Sequence, residues 1–335
     1  MTEKTTEMNR RQLLGGTAVA AAGLSLTTAA CANETNVSLE GKSVLLTGCS
    51  SGFGKLAALD MARKGANIIA SMRNIEGGKR KEAQELADVA ASEKLKLKVV
   101  EIDVLSDDLV ESGARQAMKI TGGKLDALVN NAGIGTAGPG ELFDLEAMKL
   151  MLDTNLLGYL RMARAVLPAM RKEKEGLVIN VSSQLGRILI PNLGMYSASK
   201  FGVEAMFETM AYELAPFGVE MTIIEPGGYP TKIWENGVKY SDDMLSRVDE
   251  ERSAAYAAQI KAARQMQSAN YSTDPMDVPK AIAEVIALKP GSRPLRRAVH
   301  PNTQATDAVN GVSSKVQSAV LGNGPYAAWH KAVTS

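Results

Sequence analysis

The 335-residue chain reads as an α/β protein: one domain, a doubly wound parallel sheet with helices on both faces. Three observations predict it. Short apolar runs at residues 44–46, 67–70, 98–102, 127–129, 177–181 and 220–224 alternate with helix-length segments, the rhythm of parallel strands joined by crossover helices. The runs are continuously apolar, as strands covered on both faces must be. The first run passes into a glycine-rich turn, Thr47-Gly-Cys-Ser-Ser-Gly-Phe-Gly54, which opens a helix-like stretch over residues 55–64.

Ahead of this domain stands a different kind of segment. Asn9-Arg-Arg-Gln-Leu-Leu14 carries paired arginines, and residues 12–33 hold no charge and are rich in Ala, Gly and Thr. Residues 1–32 are expected to be a twin-arginine signal, so that the twin-arginine export machinery is a partner and the periplasm the destination. Leu13 stands where phenylalanine is common in such signals, and Gly15 where lysine often follows. Cleavage after Ala32 would release a soluble protein. The alternatives are an uncleaved apolar anchor and a lipidated Cys31. The folded domain is expected over residues 38–300, with residues 301–335 as a C-terminal tail.

Glycines in the turn after the first strand let the backbone approach a pyrophosphate, and the free N–H groups opening the next helix favour an anion. That assigns Thr47, Gly48, Ser50, Ser51, Gly52, Phe53 and Gly54 to a dinucleotide. Far downstream, Met195-Tyr-Ser-Ala-Ser-Lys200 puts Tyr196 and Lys200 one helical turn apart on one face. An ammonium beside a phenol favours the phenolate and lowers its pKa from about 10, making it an acid/base near neutrality. Ser183, thirteen residues before Tyr196 at the end of an apolar run, can hold the reacting oxygen. A lone Tyr-x-x-x-Lys pair is as readily a surface helix contact; the distant glycine turn is what gives it meaning.

Over residues 39–231, and more weakly to 301, the chain resembles the short-chain dehydrogenase/reductase family. Thr47, Gly48, Gly52 and Gly54 match that family's cofactor turn. Asn130-Asn-Ala-Gly133 matches its Asn-Asn-Ala-Gly element, and Pro226, Gly227 and Thr231 its loop at the nicotinamide amide. Asn155, in Asp153-Thr-Asn-Leu-Leu-Gly158, joins Ser183, Tyr196 and Lys200 as the fourth member of its catalytic tetrad. The resemblance implies a Rossmann-like fold and hydride transfer between a nicotinamide cofactor and an alcohol or ketone. It further implies that Lys200 holds the nicotinamide ribose, that Asn155 fixes a helix backbone and a relay water, and that Asn131, Ala132, Gly133, Asp103 and Val104 line the cofactor site. Homodimers or tetramers pairing residues 146–171 and 196–215 are implied too. Val203, Met206, Met210 and Leu214 at helical spacing serve equally as that interface or as internal core.

Charge and chemistry narrow the rest. At the end of the second strand Met72 occupies the position where an acidic residue would accept from a ribose 2′-hydroxyl, and Arg73 follows, so NADP(H) is expected over NAD(H). Lys55 and Lys79 are competing cations. The whole chain has a net charge of +1, and loss of residues 1–32 removes three basic and two acidic residues, leaving zero. Nothing there suggests a nucleic-acid partner. The two cysteines, Cys31 and Cys49, leave no internal disulfide after cleavage, Cys49 reads as a small filler, and the two histidines are too isolated for a metal site. Residues 232–272 are expected to close over the substrate. Trp234, Tyr240, Met244, Tyr256, Met266 and Tyr271 in that lid suggest a bulky apolar alcohol or ketone, or simply pack the lid onto the body. An internal redox isomerisation or epimerisation with held nucleotide, and a non-catalytic cofactor sensor, are the alternative functions.

Overall fold

A computed structural model describes residues 37–78 and 80–334. The signal reading of residues 1–32 and the candidate cation Lys79 lie outside the described residues. Seven parallel strands form one sheet in the order β3-β2-β1-β4-β5-β6-β7. They are β1 Ser43–Leu46, β2 Asn67–Met72, β3 Leu97–Glu101, β4 Ala127–Asn130, β5 Gly176–Val181, β6 Val219–Pro226 and β7 Arg296–Val299. The crossovers of the first six strands run through α1 Gly52–Arg63, α2 Lys81–Ser92, α3 Asp107–Ile120, α4 Leu145–Leu152, α5 Gly158–Glu173 and α6 Gly194–Leu214. Between β6 and β7 lie α7 Lys232–Leu245, α8 Glu250–Ala255, α9 Ala257–Gln267 and α10 Asp277–Ala287; α11 Gln304–Leu321 and α12 Ala327–Thr334 follow β7.

The sheet is buried on both sides, which is why its strands read as unbroken apolar runs. Successive side chains alternate faces. Val44 and Leu46 of β1 join the core under α1 and α10, with Met61, Ile282 and Val285, while Leu45 joins the opposite core under α3, α5 and α6, with Tyr159, Met162 and Phe207. Strand order reverses between β1 and β4, whose register pairs Leu46 with Val129. At such a switch point the connections leave in opposite directions and open a crevice beyond the strands' carboxyl ends.

Two features depart from the sequence reading. Strand β7 is a seventh strand, hidden in the sequence because Arg296 and Arg297 interrupt its apolar character. Arg296 is admitted to the sheet edge by two carboxylates of α6: its Nε donates to Glu204 Oε2 (2.8 Å) and its Nη2 to Glu208 Oε2 (2.5 Å). The expected tail folds into α11 and α12, and the His330 ring of α12 stacks on Tyr212 of α6 with centroids 5.9 Å apart. Val203 and Leu214 are buried in the core beneath α6, and Met206 and Met210 are partly buried against it. That helix leaves Phe201 exposed.

Glu225 of β6 is fully buried, 3.6 Å from the Arg296 guanidinium and accepting from Asn310 Nδ2 at 2.6 Å. Burial, and then the neighbouring Glu204 charge, push its carboxyl up to about 8. A folded-state pKa above the unfolded one stabilises the fold fully below about 4.5, and that stabilisation is lost as pH rises through 8. Between pH 5 and 9 the melting temperature of the wild type should therefore fall relative to that of Glu225→Gln, by roughly 5 °C, as followed by thermal circular dichroism.

Candidate active site

The site is assembled at the switch point from the ends of β1, β4, β5 and β6. The hydroxyl of Thr47, at the end of β1, accepts from the backbone N–H groups of Asn131 (2.9 Å) and Ala132 (3.0 Å) after β4. In return Asn131 Nδ2 donates to the Thr47 carbonyl at 2.9 Å. These bonds fix the glycine turn. Gly48 has φ +75°, and a Cβ there would lie 2.8 Å from Ala132 Cα; at Gly54 a Cβ would lie 2.2 Å from the Gly48 carbonyl oxygen and 2.6 Å from Asn131 Nδ2. The turn delivers the chain to α1, whose N-cap Ser51 makes no side-chain capping bond and whose first turn carries no acidic residue. Its opening N–H groups therefore stay available to an anion from outside the chain.

Asn155 is positioned by a widened helical turn. Between α4 and α5 the chain takes a π turn over Asp153–Leu157, a bulge that recurs at functional sites. Asn155 is fully buried there, donating from Nδ2 to the Ile134 carbonyl (2.9 Å) and to Ser199 Oγ (3.0 Å), while its Oδ1 accepts from Ile134 N–H (2.8 Å). It thereby holds the strand-end loop after Gly133 against α6.

Helix α6 starts at Gly194 beside this loop and presents Tyr196 and Lys200 to the sheet, 5% and 3% exposed. Lys200 Nζ donates to the Val181 carbonyl at the end of β5 (2.9 Å) and lies 5.3 Å from the Tyr159 ring centroid and 5.8 Å from that of Tyr196. Ser183 caps the short turn Gln184–Gly186, its Oγ accepting from Leu185 N–H at 3.1 Å. The expected lowering of the phenol does not occur here: burial pushes Tyr196 up to about 12, opposed by the neighbouring Ser183 hydroxyl. Burial likewise pulls Lys200 down to about 8. Desolvation outweighs pair attraction because Lys200 directs its proton at a carbonyl, not at the phenol.

One cavity of about 690 Å³ takes in Tyr196, Lys200 and Ser183 together with Thr47, Gly48, Ser50, Ser51, Gly52, Phe53, Arg73, Asp103, Val104, Asn131, Ala132, Gly133, Pro226, Gly227 and Thr231. Of the residues assigned from sequence, Gly54 and Asn155 lie just behind its wall. The arrangement has an anion-seeking helix end at one side, a phenol, a hydroxyl and an ammonium at the other, and an extended slot between them that suits a dinucleotide. Arg80 lines the cavity as well and donates from Nη1 to the Arg73 carbonyl (3.1 Å). Sequence reasoning passed over it because it sits eight residues beyond the strand end, on the N-cap of α2. Competing Lys55 is turned to Glu85 at 3.2 Å. Cys49 is fully buried and its thiol is pushed up to about 12, the state of a small core residue. Of the lid residues, Trp234, Tyr240, Met266 and Tyr271 reach the cavity. The Trp234 ring meets Tyr196 edge-on at 5.5 Å, whereas Met244 packs in the body of the lid and Tyr256 donates to Glu141.

A profile of the short chain dehydrogenase family matches residues 42–241. The chain belongs to that family. Retinol dehydrogenase 8 of Bos taurus is 34% identical over 273 residues, covering 80% of this chain and 84% of that one. The mitochondrial D-beta-hydroxybutyrate dehydrogenase of Mus musculus is 31% identical over 260 residues, covering 73% and 74%. The crystal structure of a short-chain dehydrogenase from Streptomyces avermitilis superposes with a TM-score of 0.64 at 27% identity, covering 83% of this chain and 95% of that one. Solved structures of the same fold hold NAD in one case and NADP in another. The protein is accordingly an oxidoreductase that acts on CH–OH groups.

The crowding at the glycine turn yields a direct expectation. Gly54→Ala should weaken nucleotide binding at least about 100-fold, because the new methyl must displace the Gly48 carbonyl or the Asn131 amide that shapes the turn. Titration of protein fluorescence with reduced nucleotide measures it.

Proposed function

We propose that the protein is an NADP(H)-dependent reductase and dehydrogenase of a bulky, largely apolar secondary alcohol and its ketone, with Tyr196 as acid/base. The observation that carries this reading is the single cavity in which the open end of α1 faces Tyr196, Ser183 and Lys200. The cofactor supplies the hydride or takes it up; the chain supplies everything that positions and neutralises. Ser183 Oγ donates to the substrate oxygen, where negative charge develops during reduction. The Tyr196 hydroxyl delivers the proton to that oxygen, and its high resting pKa keeps it protonated for the task. In oxidation the same group must leave as phenolate, and the Lys200 ammonium stabilises that state. Asn155 keeps the loop at Ile134 and the catalytic helix in register.

Preference for NADP(H) is supported by Met72 at the strand end and by Arg73 and Arg80 along that wall of the cavity, with room for a guanidinium to pair with a 2′-phosphate. A bulky apolar substrate is supported by Trp234, Tyr240, Met266 and Tyr271, which join Ile188, Ile190 and Leu193 on the far side of Tyr196. Retinol dehydrogenase 8, one of the relatives, is named for an alcohol that is likewise bulky and apolar, although a primary one.

Two measurements test the reading. Tyr196→Phe should keep nucleotide affinity and lose about 10²–10⁴ in turnover on an aryl or terpenoid ketone, followed by absorbance of the reduced cofactor; near-normal turnover would refute the acid/base role. Arg73→Ala should raise the dissociation constant for NADPH by about 10- to 100-fold and leave that for NADH nearly unchanged, with Arg80→Ala showing a smaller effect in the same direction. Equal losses for both nucleotides would remove the arginines as readers of the phosphate.

A further inference from the structure

Five residues at four-residue intervals, Tyr196, Lys200, Glu204, Glu208 and Tyr212, occupy one buried face of α6. The first two belong to the active site. The next two belong to the ion cluster under β6 and β7, where the Arg296 guanidinium spans Glu204 and Glu208 and Tyr212 donates to the far oxygen of Glu208 at 2.8 Å. Glu204 therefore stands one turn from Lys200 and 2.8 Å from Arg296, itself 2% exposed.

An ammonium buried like that of Lys200 needs an opposite charge or it gives up its proton. Among the described residues Lys200 has no salt-bridge partner within 4 Å and donates to the Val181 carbonyl instead. Glu204 has a charge to share. Arg296 takes one of its oxygens, while Oε1 is buried without a hydrogen-bond partner. The side chain also lies against the loop that follows Ser183: a Cβ built on Gly186 would stand 2.8 Å from Ser182 Oγ, 3.0 Å from Glu204 Cγ and 3.2 Å from the Lys200 carbonyl oxygen.

We propose that Glu204 is the counter-charge that keeps Lys200 an ammonium, and that Arg296, by keeping Glu204 ionised, sets the charge of the active site from the C-terminal strand. Both are positioning residues, and neither lines the cavity. Burial pulls Lys200 down and Glu204 opposes the fall; burial on balance raises Glu204, and Arg296 is the largest of the groups, with Ser182 and Arg187, that pull it back. The groups facing this pair are Tyr159 from α5, Ser182 and Arg187 from the loop after β5, Glu225 from β6 and Arg296 from β7, with Asn310 of α11 and His330 of α12 behind them. The inference rests on the reading of Tyr196 and Lys200 as the acid/base pair only for its catalytic consequence.

The test reads the lysine itself. In protein labelled with carbon-13 lysine, the Lys200 Cε resonance, assigned by its loss in Lys200→Met, reports the ammonium's titration midpoint without turnover. Glu204→Gln should lower that midpoint by about one pH unit, and Glu204→Asp should restore most of it. Arg296→Met should lower it in the same direction, because Glu204 then takes up a proton, and this variant decides the matter should Glu204→Gln not fold. Glu208→Gln, which loses an equivalent bond to Arg296 but lies a turn further from Lys200, should lower the melting temperature and leave the midpoint in place. The alkaline limb of the pH–rate profile should move with the midpoint in each variant. A midpoint unmoved in Glu204→Gln, or moved as far by Glu208→Gln, overturns the proposal. A wild type that titrates as expected yet turns over no carbonyl compound overturns the functional reading and leaves the counter-charge standing.

Discussion

A positive charge held inside the protein is the constraint around which the site is arranged. Lys200 is 3% exposed, at the point where β5 ends and α6 crosses the sheet. Burial leaves its ammonium little contact with solvent, so the chain supplies a carbonyl, two aromatic faces and polar neighbours. Each replacement fixes something else. The Val181 carbonyl is available because β5 has just run out of ladder partners on that side. The Tyr159 face is available because the π turn at Asp153–Leu157 shifts the start of α5, and Tyr159 is anchored by its own hydroxyl, which donates to the same Val181 carbonyl at 3.0 Å. Helix register, strand end and ring position are thus determined together, and moving any one exposes or strands the ammonium.

The same low dielectric sets the charge of the pair. A phenol and an ammonium on one helix turn form a mutually stabilising ion pair only if both remain charged. In the closed interior both are pushed toward their neutral forms.

How much of this was legible in the sequence depended on whether the signal was local. The glycine turn was legible because strand, turn and helix lie within twelve residues and only glycine tolerates the approach of Ala132 and the Gly48 carbonyl. Tyr196 and Lys200 were legible because a helix converts a spacing of four into a shared face. Strand β7 was not, since Arg296 looks like a surface residue until Glu204 and Glu208, about ninety residues earlier, are folded against it. Arg80 was hidden for a related reason: its approach to the Arg73 carbonyl comes from the loop path between β2 and α2, not from a periodic pattern. The direction of the Tyr196 shift was missed because a sequence states which charges are adjacent and says nothing of how much water remains between them.

The segment over residues 232–272 shows a division of labour that follows from its hydrogen bonds. Its base is fastened to the body by a buried polar knot: Thr136 and Ser241 share a hydrogen bond of 2.6 Å, Ser241 donates to the Ala137 carbonyl at 3.1 Å, and Gln267 Nε2 donates to Ser241 at 3.0 Å. Close backbone approach reinforces it, since a Cβ on Gly237 would lie 2.1 Å from the Gly135 carbonyl oxygen. Outer ties add to the knot, with Arg247 reaching Asp144 at 2.5 Å and Tyr256 reaching Glu141 at 2.5 Å. Among the described residues the side chains at the inner edge make no such ties: Trp234 meets Tyr196 by ring packing, and Tyr240 and Tyr271 line the cavity with it. A hydrogen-bonded base resists displacement, while packed rings at its margin can change rotamer at much smaller cost, so side-chain rearrangement in this segment falls on the aromatic edge beside Tyr196.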